Sequence, residues 1–189
     1  MRTVAAALLL LLVPFVVAQQ NDKPNALLLI AKPELQDPNF RETVVLVTQA
    51  ADASTVGVIL NRATKRKTEK GEPLWFGGPV MREATVTLFR SERVPSASAF
   101  PVLKDVYLSM HPANLEALTP GQRYRLYSGF SGWAPGQLQS ELARDGWYVL
   151  PPREEFLFRN DMSGLWRELV EKARGGRAER RIKPAILAS

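Results

Sequence analysis

The sequence has no cysteine and a single histidine, His111. The missing thiols exclude disulfides, thiolate catalysis, Cys-ligated zinc and an N-terminal lipid anchor on cysteine. One histidine without a thiol cannot assemble a typical zinc site. No spaced acidic loop offers calcium an oxygen cage either, so no metal and no cofactor is expected. His111 stands directly before Pro112 at a helix start and reads as a capping or surface residue. A general-base role has no partner to support it. Phosphate-binding fingerprints are missing too. Gly129, Gly132 and Gly136 are spaced G-x-x-G-x-x-x-G, the helix entry is Gly136-Gln137-Leu138, and no Gly-Lys-Ser/Thr or G-x-G-x-x-G follows a strand. Ser131 in "GFSGW" has its second glycine one residue early for a nucleophile elbow, which leaves a serine hydrolase as the weakest reading.

Long apolar runs are also scarce: one exists, at the N-terminus. Arg2 precedes an uncharged apolar run from Val4 to Val17, and Val16-Val17-Ala18 fits a cut after Ala18. These are the three parts of a secretory signal peptide, and the run falls short of the roughly 20 residues needed to span a bilayer. The expected organisation is a signal peptide over 1–18, a short linker over 19–25, one domain over 26–173 and a basic C-terminal tail over 174–189. The location expected from this is periplasmic or secreted. Left uncleaved, the same segment would anchor the protein in the inner membrane.

The formal net charge of +6 is unevenly placed. Arg2 leaves with the leader, and the stretch from Lys172 onward holds Lys172, Arg174, Arg177, Arg180, Arg181 and Lys183 against Glu179. Residues 19–171 then keep 18 cations and 18 anions of the 25 and 19 in the chain. The basic pI therefore describes an appendage, suited at most to a weak contact with an anionic partner.

"NALLLIAKPEL" predicts a buried strand, and Asp37-Pro38 in "LQDPNFRE" a single helical turn. Residues 43–50 and 55–62 are β-branched and predict a hairpin. Residues 63–73 and 91–100 read as loops. "LWFGGPV", "ATVTLFR", "VLKDVYLS", "YRLYSGF" and "WYVL" each predict one strand; "PANLEAL", "PGQLQSELARDG", "EEFLF" and "MSGLWRELVEKA" predict helices. Pro135 should open the third-quarter helix and Gly146 end it. Strands early and short helices late predict α+β: a single domain with a large mixed β-sheet, partly barrel-like, and peripheral short helices. The glycine turns at Gly77-Gly78-Pro79 and Gly129–Gly136 are expected to serve packing. Trp133 fills the second with a ring that should bury against the following helix, its N–H on a carbonyl.

"LLIAKPELQDPNFRETVVLV", "GVILNRAT", "LWFGGPV" and "YSGFSGWAPGQLQSELARDGWYVLPPREEFLFRNDMSGLW" together resemble the YqgE/AlgH family, in order and spacing, over about residues 26–170. The motif positions fall on Pro38, Phe40, Asn61, Arg62, Gly77, Gly78, Pro79, Gly129, Gly132, Trp133, Gly136, Gln137 and Leu138. The resemblance implies a compact bacterial α+β domain with no agreed catalytic residues, and for some members a transcriptional-regulator label. Members often carry a histidine where this chain has Arg90, and most begin close to the first strand. A leader would place this chain where it cannot touch transcription. The expected function is an exported, non-enzymatic domain that binds a protein partner or small ligand, with Asn61-Arg62 as a candidate polar site. The alternative, a nucleic-acid-associated regulator using the basic tail, requires a cytoplasmic protein and has no helix-turn-helix to support it.

Overall fold

The computed structural model describes residues 25–50 and 52–175. The expected signal peptide, almost all of the expected linker and the expected tail beyond Gly175 lie outside the described residues. Among the described residues nine strands form a single sheet, with β1 (Leu27–Ala31), β2 (Val44–Gln49), β3 (Thr55–Ile59), β4 (Leu74–Phe76), β5 (Val80–Arg90), β6 (Phe100–Leu103), β7 (Val106–Ser109), β8 (Tyr124–Trp133) and β9 (Trp147–Leu150). Four short helices accompany it among the described residues: α1 (Pro112–Glu116), α2 (Gln137–Ala143), α3 (Glu154–Leu157) and α4 (Leu165–Gly175). The spatial order is β6-β7-β5-β8-β3-β2-β1-β9, and β4 lies beside β8. All pairs are antiparallel except β4 with β8, so the expected mixed sheet rests on one short strand. The sheet curls into a half-barrel that brings β6 towards β2.

β1 is buried along its whole length because alternate residues face two different cores. Leu28 and Ile30 join Leu46, Val58, Leu88 and Tyr127 under α3 and α4. Leu27 and Leu29 join Val45, Ile59, Trp133 and Trp147 under α2. β8 is the hub. One edge pairs with β5, while the other is shared by β4, along Leu126 to Ser128, and β3, along Ser131 to Trp133.

Several expectations need correction. "VLKDVYLS" is not one strand but the tip of a hairpin: Leu103 pairs with Val106 across Lys104-Asp105, and Asp105 takes a left-handed φ of 60°. A two-residue turn without glycine hides in a continuous apolar pattern. The glycine stretch at 129–133 is not an elbow, because β8 runs through it to Trp133 and the chain turns only at Ala134–Gly136. α2 starts at Gln137 behind a left-handed Gly136 cap, not at Pro135. At its end Asp145, with φ 62°, takes the left-handed place expected of Gly146, a conformation aspartate tolerates better than most residues. α4 runs to Gly175.

Candidate functional site

The motif residues converge on one end of the sheet. After β1 the chain turns at Asp37, whose Oδ1 accepts from the backbone N–H of Asn39 (2.7 Å) and Phe40 (3.2 Å), with Pro38 between them. This places the Phe40 ring 5.9 Å from Trp133, stacked, and 5.7 Å from Trp147, edge-on. Asn61, just past β3, behaves as an extra rung. Its Oδ1 accepts from Val44 N–H at 2.8 Å and its Nδ2 donates to Glu42 O at 2.9 Å. Arg62 donates through Nη1 to Asn39 O (2.6 Å) and through Nη2 to Arg41 O (3.3 Å), with its guanidinium 5.8 Å from the Phe76 ring centre. Burial, and then the nearby Arg41 charge, pull the Arg62 pKa below the ordinary arginine value. Asn61 and Arg62 thus clamp the 37–43 turn to the sheet, and their polar atoms face backbone more than solvent.

The second motif group abuts the first. Phe76 N–H donates to Arg62 O (3.0 Å) and Ile59 N–H to Gly77 O (2.9 Å). Gly77 and Gly78 press on β8: a Cβ on Gly77 would stand 2.2 Å from Gly129 O, and one on Gly129 would stand 2.6 Å from Gly78 O. Gly129 also has a φ of +68°. Here β5 skips Met81 to Ala84 between the pairs Val80–Phe130 and Thr85–Ser128, so the glycines serve a bulge at a crossing of backbones. Pro79 leads into that bulge, and Gly132 carries no left-handed φ. Ser131 is buried and donates to Gly77 O at 3.1 Å. Trp133 buries its ring as expected, but its indole N–H donates to the Glu141 carboxylate (3.0 Å), not to a carbonyl. Gln137 donates to the same carboxylate (3.2 Å) and accepts from Ala134 N–H (3.1 Å). Arg90 pairs with Glu154, which Arg123 also reaches. His111 caps α1, its Nδ1 accepting from Ala113 N–H at 3.2 Å.

The motif is therefore chiefly architecture, but its rim forms a groove. Arg41, Glu42, Asn61, Arg62, Ser163, Trp166 and Arg167 line a cavity of about 400 Å³. Trp166 ties α4 to β1 by donating to Ala31 O at 2.7 Å, which brings Ser163 and Arg167 opposite the 37–43 turn. Three guanidiniums face one carboxylate. Arg41 and Arg167 are exposed and form no ion pair or side-chain hydrogen bond among the described residues. Sequence reasoning found Asn61 and Arg62 but missed Arg41, Glu42, Ser163, Trp166 and Arg167. The position of Arg41 directly after Phe40 was the one available signal, since nothing in the pattern of α4 says which turn Arg167 will meet.

Two other cavities carry less chemistry. One, of about 400 Å³ beneath residues 94–105, has Lys104 and Asp105 as its charged lining. The other, of about 380 Å³, lies beside Trp75, Tyr124 and Arg125, with Tyr124 bonded to Glu72. Arg125 stacks on Trp75 at 4.5 Å. Its Nη1 and the Tyr127 hydroxyl are buried without a hydrogen-bond partner among the described residues. The Tyr127 hydroxyl lies in the core, on the side of the sheet under α3 and α4.

A curled, largely antiparallel half-barrel whose glycines are consumed by strand crossings defines a class of small single-domain α+β proteins. The chain belongs to the AlgH-like family, whose model matches residues 28–178. Among curated relatives, the UPF0301 protein of Mycobacterium tuberculosis H37Rv is 30% identical over 163 residues, covering 77% of this chain and 80% of that one. The UPF0301 protein of Thermobifida fusca is 31% identical over 170 residues, covering 78% and 86%. Two solved structures share the fold. The AlgH protein of Pseudomonas aeruginosa has a TM-score of 0.64 at 24% identity, covering 80% of this chain and 88% of that one. Protein DIP2367 of Corynebacterium diphtheriae has a TM-score of 0.62 at 21% identity, covering 79% and 86%. The family's function is uncharacterised.

Proposed function

We propose that this chain is an exported, non-enzymatic binding domain that seats an anionic group of a small ligand or protein partner in the Arg41–Arg62–Arg167 groove. Export is supported by the leader-like pattern of residues 1–18. Binding is supported by one observation above the rest: two unpaired guanidiniums flank a third whose charge is partly desolvated, around a single carboxylate. Like charges held together cost free energy unless an anion joins them, and guanidinium is the side chain best fitted to carboxylate or phosphate.

Two measurements test the proposal. Mass spectrometry of the mature N-terminus with cell fractionation should find a chain beginning near Gln19 outside the cytoplasm; an intact chain free in the cytosol removes the export half. Calorimetric titration with acetate and with sulfate should give saturable binding that disappears in an Arg41→Ala plus Arg167→Ala variant. Equal binding by the variant removes the groove. Asn61 and Arg62 are poor probes because their loss would loosen the turn itself.

A further inference from the structure

Resting on the reading of the groove as an anion seat, we infer that its cognate group is a dianion, the phosphate monoester of a small organic molecule, in preference to a monocarboxylate. The charge balance points there. Arg41, Arg62 and Arg167 against Glu42 leave the lining with an excess of two positive charges. A phosphate monoester carries about −1.5 to −2 at neutral pH, whereas a carboxylate carries one charge.

The donors point the same way. Arg62 is fixed in place by two backbone carbonyls and backed by Phe76, so it offers a pre-set charge at the floor. Arg41 and Arg167 are exposed forks without partners, arriving from the 37–43 turn and from the first turn of α4. Two partnerless forks beside a third, fixed positive charge suit the three terminal oxygens of a phosphoryl group better than the two coplanar oxygens of a carboxylate. Ser163 adds a hydroxyl to the lining, and its backbone N–H is already taken by Asp161.

The organic portion follows from size and from Trp166. A volume of about 400 Å³ lies at the small end of ligand sites and exceeds what a bare phosphate needs. Trp166 is half-buried, and its one polar hydrogen is committed to Ala31 O, so it presents only ring surface to the groove. An apolar wall beside a cationic floor fits an ester with a compact hydrophobic or planar substituent.

The test is calorimetric titration of the full chain with phenyl phosphate, inorganic phosphate and benzoate, at about pH 8 and about pH 5, either side of the second phosphate pKa near 6. Phenyl phosphate should bind ~tenfold more tightly than benzoate at the higher pH, the worth of one further charge-assisted hydrogen bond. That preference should shrink at the lower pH, as the ester gains its proton. It should collapse in Arg41→Ala plus Arg167→Ala, whose side chains hold nothing within the fold. Trp166→Leu should reduce the advantage of phenyl phosphate over inorganic phosphate. Equal affinity for phenyl phosphate and benzoate, both abolished by the double variant, overturns the dianion and leaves the anion seat standing. Equal affinity for inorganic and phenyl phosphate overturns the ester. Binding by none of the three, or binding indifferent to the double variant, overturns this inference and the groove together.

Discussion

Gly77 and Gly164 are the same residue type under opposite demands. A methyl at Gly77 would meet Gly129 O at 2.2 Å, whereas one at Gly164 would meet nothing within 4 Å. The β4–β8 crossing cannot open without breaking the Gly77 N–H to Ser128 O bond of 2.9 Å. Gly77→Ala should therefore cost about 3 kcal/mol or more in urea unfolding, and Gly164→Ala should stay within about 0.5 kcal/mol. Equal costs would mean that these glycines are not there for close approach. Tyr127 poses a different problem at the same scale. Burial pushes its hydroxyl well above the ordinary tyrosine pKa, with Arg125 pulling the other way. In the folded chain it stays neutral while the unfolded chain ionises near pH 10. Its contribution is whole below about pH 10 and is lost as pH climbs towards the folded value. Tyr124, raised first by its hydrogen bond to Glu72, adds to the same alkaline loss. Tyr127→Phe should flatten the fall in melting temperature above about pH 10 and, because the hydroxyl has no partner, cost less than about 1 kcal/mol at neutral pH. An alkaline limb identical to that of the parent would contradict this.

Elements in this protein are set by what lies across from them as much as by their own residues. The 37–43 turn has its own signals in Asp37 and Pro38, but it is held by Phe40 wedged between Trp133 and Trp147 and by Arg62 on Asn39 O. Phe40→Ala should cost about 2–3 kcal/mol, less than a fully buried phenylalanine, with Phe40→Leu nearer 1. A cost for Phe40→Ala below about 0.5 kcal/mol would show that the turn stands without its aromatic wedge. The same dependence decides what could be read from the sequence. β1, β2, β3 and α4 were legible because their apolar periods carry the pattern of one element each. The β6–β7 hairpin was not, because Lys104-Asp105 turns without a glycine and Asp105 supplies the left-handed φ. The course of β8 through Gly129 and Gly132 was misjudged for the converse reason: glycines that look like a turn permit a bulge. At the candidate site, Asn61 and Arg62 were visible as polar residues closing an apolar strand. Arg41 and Arg167 were not paired, since it is the packing of α4 on β1, with Trp166 bonded to Ala31 O, that brings the helix to that turn.

At the scale of the whole molecule, the two cores share the strands between them. Leu27 and Leu29 belong to one, Leu28 and Ile30 to the other, and β2 and β3 are divided in the same way. Lifting any of these three strands exposes both cores at once, so their amides should exchange only through global unfolding. The sheet's two ends are not equivalent. β9 places Leu150 in the main core and lies under α4, with Arg174 reaching the Tyr148 hydroxyl at 3.4 Å. Among the described residues β6 has β7 as its one strand neighbour, with a register shift between Pro101 and Leu103 and a proline that donates nothing to the ladder. Native-state hydrogen exchange should therefore rank β1, β2 and β3 slowest, β9 next and β6 fastest among the strands. The amides of Val102 and Leu103 should open at free energies well below the global value. If Val102 exchanged as slowly as Leu46, the cooperative unit would span the whole half-barrel, and the division into a doubly covered centre and one loose edge would fail.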